Sequence, residues 1–373
     1  MGPQAVRVLH VCAGNLYGGV ERIVAECAID RALCPTMTPA FAIAFEGRLA
    51  GEIVGAGAAM TTIGAARASR PWTILQARRR LDRLLRRDPV DAVVCHSSWA
   101  FGLTAPVVRK AGCRLVLWLH DRVSGATWPE RWAGRTRPDV IVANSRFTAA
   151  SVPALYPQST PVVVYAPVRA EPDDGARAAL RSSLGVADGT PVVLMASRFE
   201  PWKGHRELID ALAQVSEPWQ LWIAGGAQRA AEQRLERDIR ARAAASGAAP
   251  RIRFLGERRD VGACMRAADI HCQPNSGPEP FGLAFVEALY AGLPVVTTAM
   301  GGALEIVTPD CGVLVPPADS DALTAALRGL IVDRQARLRL GAGGPARAAT
   351  LCDPARQLSA LAGLLGGMPA VAA

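Results

Sequence analysis

Two glutamates carry the first chemical signal in the chain. Glu279 and Glu287 stand with seven residues between them in GPEPFGLAFVEALYAGLPVV, residues 277–296, a run that is otherwise largely apolar. An apolar helix behind a strand does not need carboxylates to pack. Pro280 suits a helix entry and Gly282 removes side-chain bulk at the first turn, so a loop is expected up to Phe281 and a helix from about Gly282 to Tyr290. Glu279 then lies outside the helix, facing a ligand. Glu287 lies inside it and could accept two hydrogen bonds from a vicinal diol such as ribose. The N–H groups of Phe281, Gly282 and Leu283, at the positive end of the helix, could hold a phosphate. Helix capping plus one surface glutamate is the plainer alternative.

A second signal is SRFEPWKGHRELIDAL, residues 197–212, where Arg198 and Lys203 flank a short loop between a strand end and a helix start. Two cations there suit a diphosphate. The alternative is an exposed, salt-bridging loop. Composition favours the first reading, because lysine occurs only at Lys110 and Lys203 in a chain that otherwise uses arginine. A compact ammonium rather than a planar fork is placed at this point. Near the start, CAGNLYGGVERIV puts Gly18 and Gly19 where a strand turns into a helix, so an anion could approach backbone N–H groups. The pattern is not G-x-G-x-x-G, and a plain structural turn reads equally well.

These residues need a frame to position them. Apolar strands are expected at VRVLHVC, AFAIAF, DAVVCH, RLVLWLH, DVIVANS and PVVVY. A second set follows at PVVLMAS, WQLWIAG, RIRFLG, DIHCQP and LPVVTT, with helix-like runs between the strands. Near-continuous apolar strands alternating with helices indicate parallel sheets covered on both faces, an α/β fold. The polar stretch 166–178 is the expected linker. Two Rossmann-like domains follow, residues 1–168 and 169–350, with a final helix and frayed tail in 351–373. Ligands of such sheets bind beyond the carboxyl ends of the strands, which places the expected site in a cleft between the halves.

Half of the 373 residues are hydrophobic and a fifth are charged, a soluble globular composition. No run reaches the eighteen or more apolar residues of a membrane span. The first strand is followed by no cleavage site, so no secretory leader is expected. Nine cysteines, scattered without framework spacing, point to reduced thiols and a cytoplasmic setting. The net charge of +9 concentrates in ARRRLDRLLRR, residues 77–87, where Ile74, Leu75, Leu81, Leu84 and Leu85 share one helical face. That helix is expected to pack by its apolar face and present a solvated basic one; peripheral docking on an anionic membrane is the sharper alternative. Single-stranded nucleic acid would call for interleaved aromatics, which the stretch lacks after Trp72, so no nucleic-acid partner is expected. Asp319 and Asp321 form a D-x-D, but they directly precede a helix and read as a cap, and the five histidines show no metal-ligand spacing. No metal or cofactor is expected.

Taken together, SRFEPWKGH, the E-x7-E of EPFGLAFVEAL and AGLPVVTTAMGGALEIV…GVLVPP resemble the retaining glycosyltransferases of family 4, which share the GT-B fold. YGGVER and the LHD of residues 119–121 fit the same resemblance. It covers most of the chain, most closely from about 190 to 330. The chain departs from the family's pattern at Ser197, where glycine is common, and at residues 166–169. The resemblance implies two Rossmann-like domains facing each other across a cleft. It implies that Arg198 and Lys203 hold the donor diphosphate, that Glu287 binds the ribose and that Glu279 acts near the transferred sugar. His120 would touch that sugar, and Gly18 and Gly19 would face phosphate and acceptor. On its residues alone His120, ending an apolar strand before Asp121, reads equally as a satisfied structural group. The expected activity is metal-independent transfer from a nucleotide-diphosphate sugar to an acceptor hydroxyl on a glycolipid, polysaccharide or secondary metabolite. An epimerase of nucleotide sugars or a non-catalytic nucleotide-sugar-binding subunit would use the same architecture.

Overall fold

The computed structural model describes residues 5–172 and 175–366. The expected frayed tail from residue 367 lies outside these, as do two residues of the expected linker. The chain divides into two compact units, one ending at Val168 and regaining the chain from Cys352, the other spanning Arg169–Leu351.

The first unit is built on β1 (Val6–Cys12), β2 (Met37–Ile43), β3 (Ala59–Thr62), β4 (Ala92–Cys95), β5 (Arg114–Leu119), β6 (Val140–Ala143) and β7 (Val162–Val163). They form one sheet in the order β3-β2-β1-β4-β5-β6-β7, every pair parallel. The order reverses direction between β1 and β4, the switch point at whose carboxyl edge sheets of this kind generally bind ligands. Leu9, Val11, Val93, Leu115 and Leu117 pack with Phe101, Leu103, Leu81 and Leu85 of the covering helices. The helix Pro354–Gly366 clusters with this unit instead of forming a separate appendage. The Val168 N–H donates to the Cys352 carbonyl at 2.9 Å, the Tyr165 N–H to Gln357 Oε1 at 3.1 Å, and Arg114 to the Leu365 carbonyl at 3.2 Å.

The second unit repeats the plan with β8 (Val192–Ala196), β9 (Gln220–Ala224), β10 (Ile252–Gly256), β11 (Ile270–Gln273), β12 (Val295–Thr298) and β13 (Gly312–Val315), in the order β10-β9-β8-β11-β12-β13. Its switch point therefore lies between β8 and β11. Two strands were not evident in the sequence. β3 (Ala-Met-Thr-Thr) is a half-exposed edge strand without an apolar run, and β13 is the edge strand of the second sheet, with two of its four residues only partly buried.

The basic helix Pro71–Arg87 is present, with a correction to its faces. Ala77, Leu81 and Leu85 are buried and Ile74 and Leu84 pack against the core, but Leu75 points outward, 54% exposed, beside Trp72 at 58%. One of its arginines does structural work. Pro106, inside the helix Ser98–Lys110, has no N–H to give the Gly102 carbonyl. Arg78 supplies the missing donor, 3.1 Å from the Gly102 oxygen and 2.8 Å from that of Leu103. Eight of the nine cysteines are buried and Cys113 is partly so; burial pushes the Cys12 and Cys95 thiols up to about 12, which keeps them protonated and unreactive.

Candidate active site

In the second unit the loops after β8 and β11 leave adjacent strands at the switch point. Gly204 ends the first loop at φ +84°, and a side chain there would run into the Pro274 carbonyl at 2.0 Å, so only glycine lets the two loops approach this closely. Phe199 anchors the loop from below, buried and stacked on His205 with ring centroids 4.8 Å apart. Burial, with the Lys203 charge nearby, lowers His205 to about 3, so it sits neutral beneath the loop.

The structure joins Lys203 and Glu279, 76 residues apart in sequence. Lys203 Nζ lies 2.7 Å from Glu279 Oε2, with both side chains nearly buried. Lys203 Nζ also sits 3.9 Å from the Trp202 ring centroid. The same Oε2 accepts from Gln273 Nε2 at 2.9 Å and Asn275 Nδ2 at 3.4 Å, and Gln273 further donates to Asn275 Oδ1. The carboxylate is thus held by one cation and two amides. Its backbone is fixed as well. Glu279 bridges to Gly301, and its carbonyl accepts from the Gly302 N–H at 2.8 Å. A Cβ on Gly301 would stand 2.3 Å from that carbonyl. Sequence reasoning missed Gln273 and Asn275. Their signal was available: Gln273 closes an apolar strand and Asn275 follows two residues later, and amides buried there must find polar partners.

Arg198 is engaged elsewhere, by Glu200 Oε1 at 2.5 Å and Glu232 Oε1 at 3.2 Å, an arrangement that matches the salt-bridging alternative as the loop stands. Gly282 is the residue before the helix Leu283–Tyr290, at φ +113°, and a Cβ there would meet the Phe285 ring at 2.3 Å. Phe281 is buried, and the Phe285 N–H donates to the Gly282 carbonyl at 3.0 Å. Glu287 is half-buried on that helix.

In the first unit Gly18 precedes the helix Gly19–Ile29 with extended backbone, and its N–H donates to Glu21 Oε2 at 3.1 Å, so an internal carboxylate already occupies that donor. His120 directly follows β5. Its carbonyl accepts from Asn144 Nδ2 at 3.1 Å, and its Nε2 meets His96 Nδ1 at 2.9 Å. Burial lowers it to about 3, which makes the imidazole neutral at physiological pH. Asp319 Oδ1 accepts from the Ala322 N–H at 2.8 Å as a helix cap. Among the described residues no group of three or more histidine, cysteine, aspartate or glutamate side chains is arranged to hold a metal ion.

Comparison with known proteins adds a lineage to this geometry. The family model "Glycosyl transferases group 1" matches residues 176–347, and that of "Glycosyltransferase Family 4" matches residues 40–171. The phosphatidyl-myo-inositol mannosyltransferase of Mycobacterium leprae is 40% identical over 162 residues, covering 42% of this chain and 41% of that protein. The D-inositol 3-phosphate glycosyltransferase of Xylanimonas cellulosilytica is 34% identical over 224 residues, 57% of this chain and 52% of its own. The chain thus spans about half the length of these curated relatives. Anabaena HepE, solved in complex with UDP and glucose, superposes with a TM-score of 0.85 at 23% identity, covering 97% of this chain and all of that one. Sucrose-phosphate synthase from Thermosynechococcus elongatus gives 0.79 at 17% identity, covering 96% and 99% of the two chains. At such identities the likeness establishes a shared fold.

Proposed function

Because the chain belongs to the glycosyltransferases of family 4 and has the two Rossmann-like units of the GT-B fold, we propose that it moves a sugar from a nucleotide-diphosphate donor to an acceptor hydroxyl, with anomeric configuration kept. The observation that carries this reading is the nearly buried Lys203–Glu279 pair at the switch point of the second sheet, held by Gln273 and Asn275. It places an ammonium able to meet a departing diphosphate beside a carboxylate able to stabilise an oxocarbenium-like sugar.

Arg198 joins Lys203 on the diphosphate by exchanging its glutamate partners for phosphate. The N–H groups around Phe281, Gly282 and Leu283, at the start of an eight-residue helix, add their dipole. Glu287 takes the ribose hydroxyls. His120, neutral through burial, contacts the transferred sugar, and Gly18 and Gly19 face phosphate and acceptor. The leaving phosphate can itself take the proton of the attacking hydroxyl, so side chains, backbone dipoles and donor suffice without a cofactor or cation.

The acceptor we propose is an inositol phosphate unit, free or on a lipid, since both curated relatives carry that unit in their names. A lipid acceptor agrees with the outward Trp72 and Leu75 beside the arginines of the helix Pro71–Arg87. No helix among the described residues is long and apolar enough to cross a membrane, so such contact would be peripheral. The test is a screen of UDP- and GDP-sugars against inositol 3-phosphate and phosphatidylinositol vesicles, with and without EDTA. Sugar transfer that survives chelation is expected. Acceptor-independent interconversion of the donor sugar would point to an epimerase instead, and donor binding without turnover to a non-catalytic subunit.

A further inference from the structure

The first unit contains a line of three imidazoles, of which the proposed reaction uses His120 and leaves His10 and His96 without a role. His10 lies in β1, His96 directly follows β4 and His120 directly follows β5, on three neighbouring strands. His10 pairs in register with Val94, and His96 stands two residues farther on. Cys95 pairs with Leu117, so His120 lies another two residues toward the carboxyl edge relative to His96. Each step therefore crosses one strand and climbs two residues, a diagonal from mid-sheet to the edge where ligands bind. His10 Nδ1 meets His96 Nε2 at 2.8 Å, and His96 Nδ1 meets His120 Nε2 at 2.9 Å. Phe41 stacks on His10 with centroids 5.2 Å apart, and the Trp118 ring lies 5.2 Å from those of His96 and His120. The column is thus fixed sideways as well as end to end.

The proton count along this line is constrained. Burial keeps all three rings neutral: His10 is lowered to about 4, His120 to about 3, and His96 well below its ordinary value, helped by its two neighbours. Three neutral imidazoles carry three N–H protons. Each of the two junctions needs one proton, and His96, having one, must donate at one junction and accept at the other. Only two arrangements make both bonds. In one, every Nδ1 is protonated and the spare N–H is His120 Nδ1. In the other, every Nε2 is protonated and the spare N–H is His10 Nε2.

Both of those terminal nitrogens are buried and have no hydrogen-bond partner among the described residues. The ends differ in their surroundings. His10 is wholly buried mid-strand against Phe41, whereas His120 follows the end of β5 and keeps 8% exposure. An orphan N–H sealed in apolar surroundings is the less tolerated defect; a bare ring nitrogen there is the milder one. The spare proton therefore belongs at His120.

We propose that His10 and His96 are positioning residues that hold His120 in its Nδ1–H tautomer, so that this ring presents a hydrogen-bond donor to an oxygen of the ligand. The inference rests on the reading above that His120 touches the transferred sugar. It assigns His120 as a donor to a sugar oxygen and removes it as a general base, because its only basic nitrogen, Nε2, is already bonded to His96. A chain broken at His96 frees Nε2 of His120 to carry the proton, the form that free imidazole side chains prefer.

The experiment is long-range proton–nitrogen NMR of the whole chain labelled with 15N-histidine at pH 7, with His120 assigned by loss of its signals in His120→Gln. Expected are a protonated, pyrrole-type Nδ1 and a bare, pyridine-type Nε2 for His120. His96→Phe keeps ring stacking but cannot bridge, and should invert that assignment; it should also lower kcat roughly tenfold, the size of one lost hydrogen bond, with donor KM held. A bare Nδ1 on His120 in the unaltered protein would overturn the proposal, as would an unchanged tautomer in a folded His96→Phe. The unaltered spectrum decides even where that variant fails to fold. The readings separate cleanly: an inert His120→Gln substitution sinks the role of His120 in transfer, whereas the spectrum alone tests the chain that orients it.

Discussion

Replacing Lys203 by alanine tests the core of the site, and the structure sets the size of the effect. The substitution leaves Glu279, whose side chain is 11% exposed, as a nearly buried carboxylate without its cation. Removing one member of a buried ion pair costs about 3–5 kcal/mol. Here Gln273 and Asn275 still donate to Oε2, at 2.9 and 3.4 Å, so the expected loss falls to about 2–3 kcal/mol. For a unit in the 150–250-residue range each kcal/mol lowers Tm by about 2–4 °C, so the unfolding midpoint of the second unit should drop by about 4–12 °C. The paired variant Lys203→Met with Glu279→Gln removes both charges and keeps the amide contacts; it should regain most of that stability, a coupling of about 2 kcal/mol in a double-mutant cycle. Turnover should behave differently. Both Lys203 variants lose transfer by a hundredfold or more, on the order of one preorganised electrostatic donor. The assay is thermal unfolding and steady-state kinetics on five proteins: the unaltered chain, Lys203→Ala, the single variants Lys203→Met and Glu279→Gln that close the cycle, and the double variant. If the double variant is no more stable than Lys203→Ala, the two charges are not coupled as described. If it also turns over normally, the site lies elsewhere.

The remaining predictions concern stability and surface. Burial depresses His10 and His271 to about 4 and His120 and His205 to about 3, so the unfolded chain takes up protons near pH 6.5 that the folded chain refuses. Stability is complete above that pH and falls as pH drops toward 3–4, by about 2 kcal/mol per histidine between pH 7 and 5; a flat unfolding midpoint over that interval would contradict this. Arg78→Ala orphans the Gly102 carbonyl that Pro106 cannot serve and should cost about 1–3 kcal/mol, whereas the exposed Arg79→Ala should change stability by less than about 0.5 kcal/mol. Charge reversal at the exposed Arg79, Arg83 and Arg86 should abolish sedimentation with anionic vesicles at low salt, each arginine contributing about 1 kcal/mol near such a surface. Failure of the unaltered protein to sediment would leave that face merely solvated.

The sequence exposes what is local and hides what is made by register. The long apolar strands, the linker near residue 168 and the loops bearing Lys203 and Glu279 are all visible as strings of residue types. That Lys203 reaches Glu279 is not, because the contact exists only through a strand order that sets β8 beside β11. For the same reason His10 and His96 pass as isolated histidines without ligand spacing, 86 residues apart, until the pairing of β1 with β4 brings their rings together. Leu75 shows the opposite failure. Helical periodicity assigns it to the apolar stripe, but in the first turns of the helix it is left more than half exposed. The placement of the helix Pro354–Gly366 with the first unit is likewise a tertiary fact, carried by contacts such as Arg114 to Leu365.

The two sheets bury polar groups at their switch points in opposite ways, and the difference bears on what each can do. The first unit uses neutral rings whose protons are shared along a line, an arrangement that can offer a ligand one directed hydrogen bond but no charge. The second uses full charges of opposite sign that cancel each other. A phosphate brought to Lys203 competes with Glu279 for the same ammonium. If it wins, the carboxylate stays in place, because Gln273, Asn275 and the backbone bond from Gly302 do not depend on the lysine. Under the proposed function its negative charge, cancelled until then, would become available to a developing oxocarbenium only once the diphosphate is seated. In the proposed reaction, donor binding would thereby unmask the carboxylate assigned to the transition state, and a buried ion pair that is costly for stability alone would acquire a reason to be there.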